Sequence, residues 1–225
     1  MKYLYYSVFI IVCPLVFLMS KGKAIPAFDK TASIKIVQHS DSVALENEYF
    51  KVMSNAVACS NANTPGIDSR VIVALSEMKI KSSRGTIKLN RGEIAVFSAS
   101  ESYKIPKAEY FEVAFKKNHP PLRVPEKWIE PLKNKIIFEN EVFRVFEERL
   151  AAGDDRELHS HAQRIVVRLN EVQLTDPRFQ KKENSSGGWQ IPNTVKYAEP
   201  VVHEVRNLSK NTALFNIVIE FKIPH

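Results

Sequence analysis

Leu45-Glu46-Asn47-Glu48-Tyr49-Phe50-Lys51-Val52 and Phe138-Glu139-Asn140-Glu141-Val142-Phe143-Arg144-Val145 spell one pattern twice, at an offset of 93 residues. Each stretch runs apolar residue, Glu-Asn-Glu, aromatic, base and valine, with too many matched positions for composition to supply. Self-similarity of this kind marks a chain built from copies of one unit. Further along, Arg70-Val71-Ile72-Val73-Ala74-Leu75 parallels Arg164-Ile165-Val166-Val167-Arg168-Leu169 at an offset of 94, and Gly92 to Phe97 parallels Gly187 to Pro192 at 95. Both copies close on an apolar stretch, Phe111 to Lys116 and Asn216 to Lys222, where the offset is 106. This alignment gives the second copy about eleven extra residues and puts them between Ile191 and Phe215.

The copies read as strands. Val142 to Glu147, Arg164 to Leu174, Gly188 to Ile191 and Leu214 to Lys222 are short and rich in β-branched or aromatic residues, with Gly, Asn, Asp and Ser between them. No long helical stripe follows residue 24. Two copies of many short strands predict an all-β protein of two tandem barrels or sandwiches, for which the jelly roll is a standard solution. Between the copies, Lys117 to Lys135 holds Pro120, Pro121, Pro125 and Pro131. Proline at that density does not sit in central strands, so this segment is expected to be a linker or a belt lying across the barrels, pinned by Trp128.

Met1-Lys2, the apolar run from Tyr3 to Met19 and the small residues before Ile25 read as a secretory signal cleaved after Ala24. The expected organisation is therefore signal peptide 1–24, first barrel 25–118, Pro-rich linker 119–136 and second barrel 137–225. The 225-residue chain carries a formal charge of +7, and removal of Lys2, Lys21 and Lys23 leaves +4. The remaining bases are spread among acids, which argues against nucleic acid as a partner. No membrane contact is expected after cleavage, and a homodimer is compatible with the reading. Only Cys59 remains beyond the signal, so no intramolecular disulfide can form and apolar burial must hold the core.

The chemistry-bearing stretch is Gly153-Asp154-Asp155-Arg156-Glu157-Leu158-His159-Ser160-His161. Residues two apart on a strand share a face, so His159 and His161 aim together, about 7 Å apart. A third imidazole from a facing strand would complete a site, and His203, in the length peculiar to the second copy, is the candidate. Three convergent imidazoles suit a divalent transition metal such as Zn, Fe, Ni, Mn or Cu, with positions left for water or substrate.

On these residues the second copy resembles the cupin superfamily. Gly153, His159 and His161 match the glycine and histidine spacing of that family's first motif, and Pro192, His203 and Asn207 match its second. Through the repeat, the whole chain resembles a bicupin. The resemblance implies metal on His159, His161 and His203. It also exposes a departure, because the motif's glutamate would fall at Ile165 or Val166. Strand parity puts Gln163 and Ile165 on the histidine face, lining the pocket, and turns Arg164 and Arg168 away. Trp189 and Tyr197 flank the expected pocket mouth, where aromatics can stack on a bound ring. Together these give a candidate substrate-binding set of Gln163, Ile165, Trp189 and Tyr197. In the first copy His159 and His161 correspond to Pro65 and Ile67, so the first barrel is expected to be scaffold. Asn184-Ser185-Ser186 and Asn207-Leu208-Ser209 have the form of glycosylation sequons.

Two functions survive. One is an exported, metal-dependent protein acting on a small oxygenated or anionic molecule, anionic because three neutral imidazoles leave the ion's charge uncompensated. The other is a non-catalytic exported binding or structural bicupin with a vestigial site. The missing carboxylate favours the second and the retained histidines favour the first.

Overall fold

The repeated hairpins fold alike because each carries the same turn chemistry. In a computed structural model describing residues 42–54, 59–60, 65–131, 134–175 and 188–223, Asn47 Oδ1 accepts the N–H groups of Tyr49 and Phe50 at 2.9 and 2.8 Å. Asn140 Oδ1 does the same for Val142 and Phe143, both at 2.9 Å. An Asn side chain closing on the backbone two and three residues on is a local turn device. It sets β1 (Ser42–Glu46) against β2 (Phe50–Ser54) with Glu46 opposite Lys51, and β10 (Lys135–Glu139) against β11 (Phe143–Leu150) with Glu139 opposite Arg144. Both hairpins carry a bulge at the matching place, between Val43 and Leu45 and between Ile136 and Phe138.

The first copy continues through β3 (Cys59–Ser60), β4 (Ile67–Ala74), β5 (Met78–Ser82), β6 (Gly85–Leu89), β7 (Ile94–Ser98), β8 (Tyr103–Lys104) and β9 (Tyr110–Lys116). The second continues through β12 (Asp155–His161), β13 (Arg164–Arg168), β14 (Val172–Thr175), β15 (Gly188–Gln190), β16 (Thr194–Ala198), β17 (Val201–Asn207) and β18 (Leu214–Phe221). A five-stranded sheet β1-β2-β9-β4-β7 in the first copy corresponds to β10-β11-β18-β13-β16 in the second. A four-stranded sheet β3-β8-β5-β6 corresponds to β12-β17-β14-β15. The protein is all-β among the described residues, two jelly-roll barrels in tandem. The segment read as a signal, 1–24, lies outside the described residues, as does Asn184.

Strand pairing corrects one part of the sequence alignment. Val73 pairs with Ile94 in the first copy and Val167 pairs with Val195 in the second, so β7 corresponds to β16 at an offset of 101, not to Gly188–Gln190 at 95. Gly188–Gln190 instead corresponds to β6. Part of the extra length therefore lies between β14 and β15, ahead of Ile191. The turn before β7 has Gly92 at φ 83°, and its counterpart Asn193 has φ 54°. A left-handed position accepts glycine or asparagine, which hides the match from a reading that looks for glycine alone.

Among the described residues, three apolar clusters follow from the alternation of side chains. Ile72, Ile80, Phe97 and Tyr110 fill the first barrel. Among the described residues, Leu150, Val172, Val205 and Leu214, with Leu174 packed against them, form the apolar cluster inside the second. The largest cluster joins the two copies: Phe50, Val71, Val73 and Phe115 from one five-stranded sheet pack with Phe143, Ile165, Val167, Ile219 and Phe221 from the other. The five-stranded sheets are thus buried on both faces, which is why Val71 to Leu75 and Ile165 to Val167 read as unbroken apolar runs.

Candidate metal centre

Histidines line the interior of the second barrel, whereas the first is filled by an apolar cluster beside one buried ion pair, Arg70–Glu112 at 3.4 Å. On β12, His159 and His161 turn inward and are almost fully buried. The third histidine comes from the neighbouring strand of the same sheet rather than from a facing one: β17 runs antiparallel to β12 with His203 directly opposite His159. Side chains on directly opposed residues meet on one face, so register alone brings the imidazoles together. Ring centroids lie 4.8 Å apart for His159 and His161, 4.6 Å for His159 and His203, and 5.3 Å for His161 and His203. One nitrogen of each ring lies within 4.8 Å of the others. Ligand nitrogens about 2.0–2.1 Å from one ion stand closer than that, so a bound ion would draw the three rings together.

Gly153 and Asn207 set this register from its far end. Gly153 has φ 79° and open space where a Cβ would stand, so backbone conformation and not crowding requires glycine. Its N–H donates to Asn207 O at 3.1 Å, and the Asn207 N–H donates to Asp154 O at 3.0 Å. The Asn207 amide donates to Leu150 O, Ala151 O and Thr212 O at 3.2, 3.1 and 2.8 Å. With its amide fully used and its side chain buried, Asn207 is a clamp, which overturns its reading as a glycosylation acceptor.

The ring nitrogens fit a metal ligand set. His159 Nδ1 donates to Glu157 O at 2.6 Å, which leaves Nε2 as the free ligand atom, buried and without a hydrogen-bond partner. Burial drives the His161 imidazole well below the usual histidine range, with Arg164, His159, Arg156 and Arg144 adding to the effect. Burial also lowers His159, partly opposed by its bond to Glu157. Both shifts favour the neutral imidazole, the form that coordinates metal. Behind them runs a buried chain: Arg156 Nη1 donates to Glu148 at 3.0 Å, Asn216 donates to the other Glu148 oxygen at 2.8 Å, and Gln190 donates to Asn216 at 2.7 Å.

The substrate-binding set is dispersed. Ile165 packs in the core between the barrels, not in the pocket, and Arg164 and Arg168 face the interior. The reason is the corner at Ala162-Gln163: β12 and β13 belong to different sheets, so the alternation of one does not carry into the other. Gln163, fully buried, accepts from Arg123 N–H at 2.8 Å and donates to Tyr197 Oη at 2.9 Å. Tyr197 lies against Tyr49 and Phe50 of the first barrel, with centroids 6.5 and 6.1 Å away. Its hydroxyl is pushed up to about 12, chiefly by burial. Trp189 is 62% exposed on β15.

Two interior residues, Glu220 and Arg144, escaped the sequence reading, and a third, Arg168, was read as facing away. Glu220, on β18, has its carboxylate 3.4 Å from His161 Nδ1. Arg144, on β11, lies 3.5 Å from the same carboxylate. Arg168 has its Nε buried with no hydrogen-bond partner, and burial alone lowers its pKa. The belt packs on the second barrel: Arg144 stacks 5.3 Å over Trp128, and Ser160 exchanges hydrogen bonds with Ile129, both at 2.8 Å.

The two-barrel fold is similar to that of solved cupin-domain structures. The chain is similar to a cupin 2 conserved barrel domain protein from Leptotrichia buccalis, with a TM-score of 0.50 and 10% identity over 79% of this chain and 86% of that one. It is likewise similar to a putative glyoxylate induced protein from Pseudomonas aeruginosa, with a TM-score of 0.52 and 8% identity over 79% and 75%. At such identities the likeness concerns the fold alone. No protein-family model and no curated protein sequence matches the chain.

Proposed function

We propose that the second barrel is a divalent-metal centre on His159, His161 and His203 that receives a small oxygenated or anionic molecule, while the first barrel serves as scaffold. The observation that carries this is the convergence of three imidazoles inside a barrel, one of them offering a buried Nε2 with no protein partner. A buried nitrogen of that kind is costly unless something occupies it. A bound divalent ion would act there as a Lewis acid on a substrate oxygen. Arg168 supports an anionic ligand, since it brings an interior guanidinium whose buried Nε lacks a protein partner. Elemental analysis of the purified protein beside His161→Ala tests the reading. About one equivalent of metal is expected in the wild type and under about a tenth of that in the variant, because one of three ligands is gone. Equal metal in both would sink it.

Export is part of the proposal and rests on the apolar run from Tyr3 to Met19 with small residues after it. The mature protein should begin near Ile25 on N-terminal sequencing. A start before Ser20 contradicts cleavage there.

A further inference from the structure

An imidazole has two nitrogens, and the one that holds its proton decides which is left for a metal. At His159 a carbonyl settles this, since Glu157 O can only accept and Nδ1 must therefore carry the proton. No carbonyl plays that part at His161. Its Nδ1 faces Glu220 Oε2 at 3.4 Å, and both side chains are wholly buried. Glu220 arrives from β18, 59 residues further along the chain.

The carboxylate is held for this task. Its Oε1 accepts the Ala162 N–H, and Arg144, opposite it in register on β11, lies 3.5 Å from Oε2. Arg144 is in turn fixed by Glu130 of the belt at 3.3 Å and by the Trp128 ring. Phe146 stacks on His161 with centroids 6.0 Å apart and planes 8° from parallel, so the ring is restrained on its flat side as well. Glu220 is not part of the group of converging ligand atoms, which among the described residues comprises the three histidines. It stands behind the His161 ring, not beside the ion's place.

We infer that Glu220 is the positioning residue of this centre: its carboxylate accepts the Nδ1 proton of His161 and so holds the tautomer that presents Nε2. This rests on the three-histidine reading and deepens it. Glu220, paired with Arg144, places a carboxylate behind a ligand set of imidazoles, and does so from a strand remote from the motif whose glutamate is missing. A carboxylate on the far nitrogen of a ligating histidine raises that ligand's basicity and fixes its orientation, and removing such a partner typically costs 10–100-fold in metal affinity.

The test has two arms. In the metal-free wild type, two-bond ¹⁵N–¹H correlation spectra of the histidine rings, with the His161 signal assigned by its loss in His161→Gln, should show the Nδ1–H tautomer. Zinc affinity of Glu220→Gln, measured by competition with a chromophoric chelator, should fall at least 10-fold, with the amide spectrum retaining its dispersion. An Nε2–H tautomer in the wild type, or an affinity within about twofold in a folded Glu220→Gln, overturns the inference. If Glu220→Gln does not fold, the wild-type tautomer decides alone. Should the wild type bind no metal, the three-histidine reading fails, while the tautomer still tells whether Glu220 holds the ring.

Discussion

A histidine buried beside arginines resists protonation, and that resistance has a sign for stability. The folded-state pKa values of His159 and His161 are lowered, chiefly by burial. In the unfolded chain both titrate near the unperturbed value of about 6.5. As pH falls through that value the unfolded chain takes up protons first, so the folded state loses stability, steepening toward about 1.4 kcal/mol per pH unit for each histidine. The loss continues down to the folded-state pKa. Glu112 and Glu220 work in the opposite direction: burial raises both, so they weaken the fold most at neutral pH and less as they take up protons. Comparison of wild type with His161→Gln isolates the histidine contribution. In urea unfolding of metal-free protein between pH 7.5 and 5.5, the wild type should lose more stability than the variant. Equal pH slopes would show that His161 is free to ionise in the fold.

At the scale of strands, period-two alternation reads correctly inside one strand and fails at a corner. His159 and His161 share a face as their spacing implies, and their partner His203 was legible from its place in the length peculiar to the second copy. Ile165 was misplaced because the chain changes sheets at Ala162-Gln163, which exchanges the inward and outward faces. Nothing in the local sequence announces such a corner. Glu220 was illegible for a different reason, since its meeting with His161 depends on the β11-β18-β13 order of the sheet and on register across it. The belt shows the same dependence. Four prolines told that it forms no strand, but only the fold shows what it covers. β12 is the terminal strand of its sheet, and the pairing of Ser160 with Ile129 closes that edge next to the histidines. An uncovered edge strand is a template for unwanted pairing, so the belt protects the centre as well as connecting the barrels.

The whole molecule is held by a core that neither barrel owns. Phe115 of the first copy stacks on Phe143 of the second with centroids 4.2 Å apart, and Phe221 meets Phe50 and Phe115 at 4.9 and 5.2 Å. All four rings are essentially inaccessible to water. The interior of the second barrel offers little apolar burial of its own, because histidines, arginines and glutamates occupy it. Its stability therefore leans on the sheet of the first copy, which explains why a barrel without a histidine cluster among its described residues accompanies the one that has it. The prediction is one cooperative unfolding transition for both barrels. Phe115→Ala and Phe221→Ala lie in different copies but empty the same core, and each should cost about 3–5 kcal/mol. Both should lower the same single transition, seen together by far-ultraviolet circular dichroism and by the fluorescence of Trp128, which sits against Arg144 of the second barrel. Two separate transitions, with each substitution moving only the one belonging to its own copy, would show that the barrels fold independently and that the shared core is only a contact.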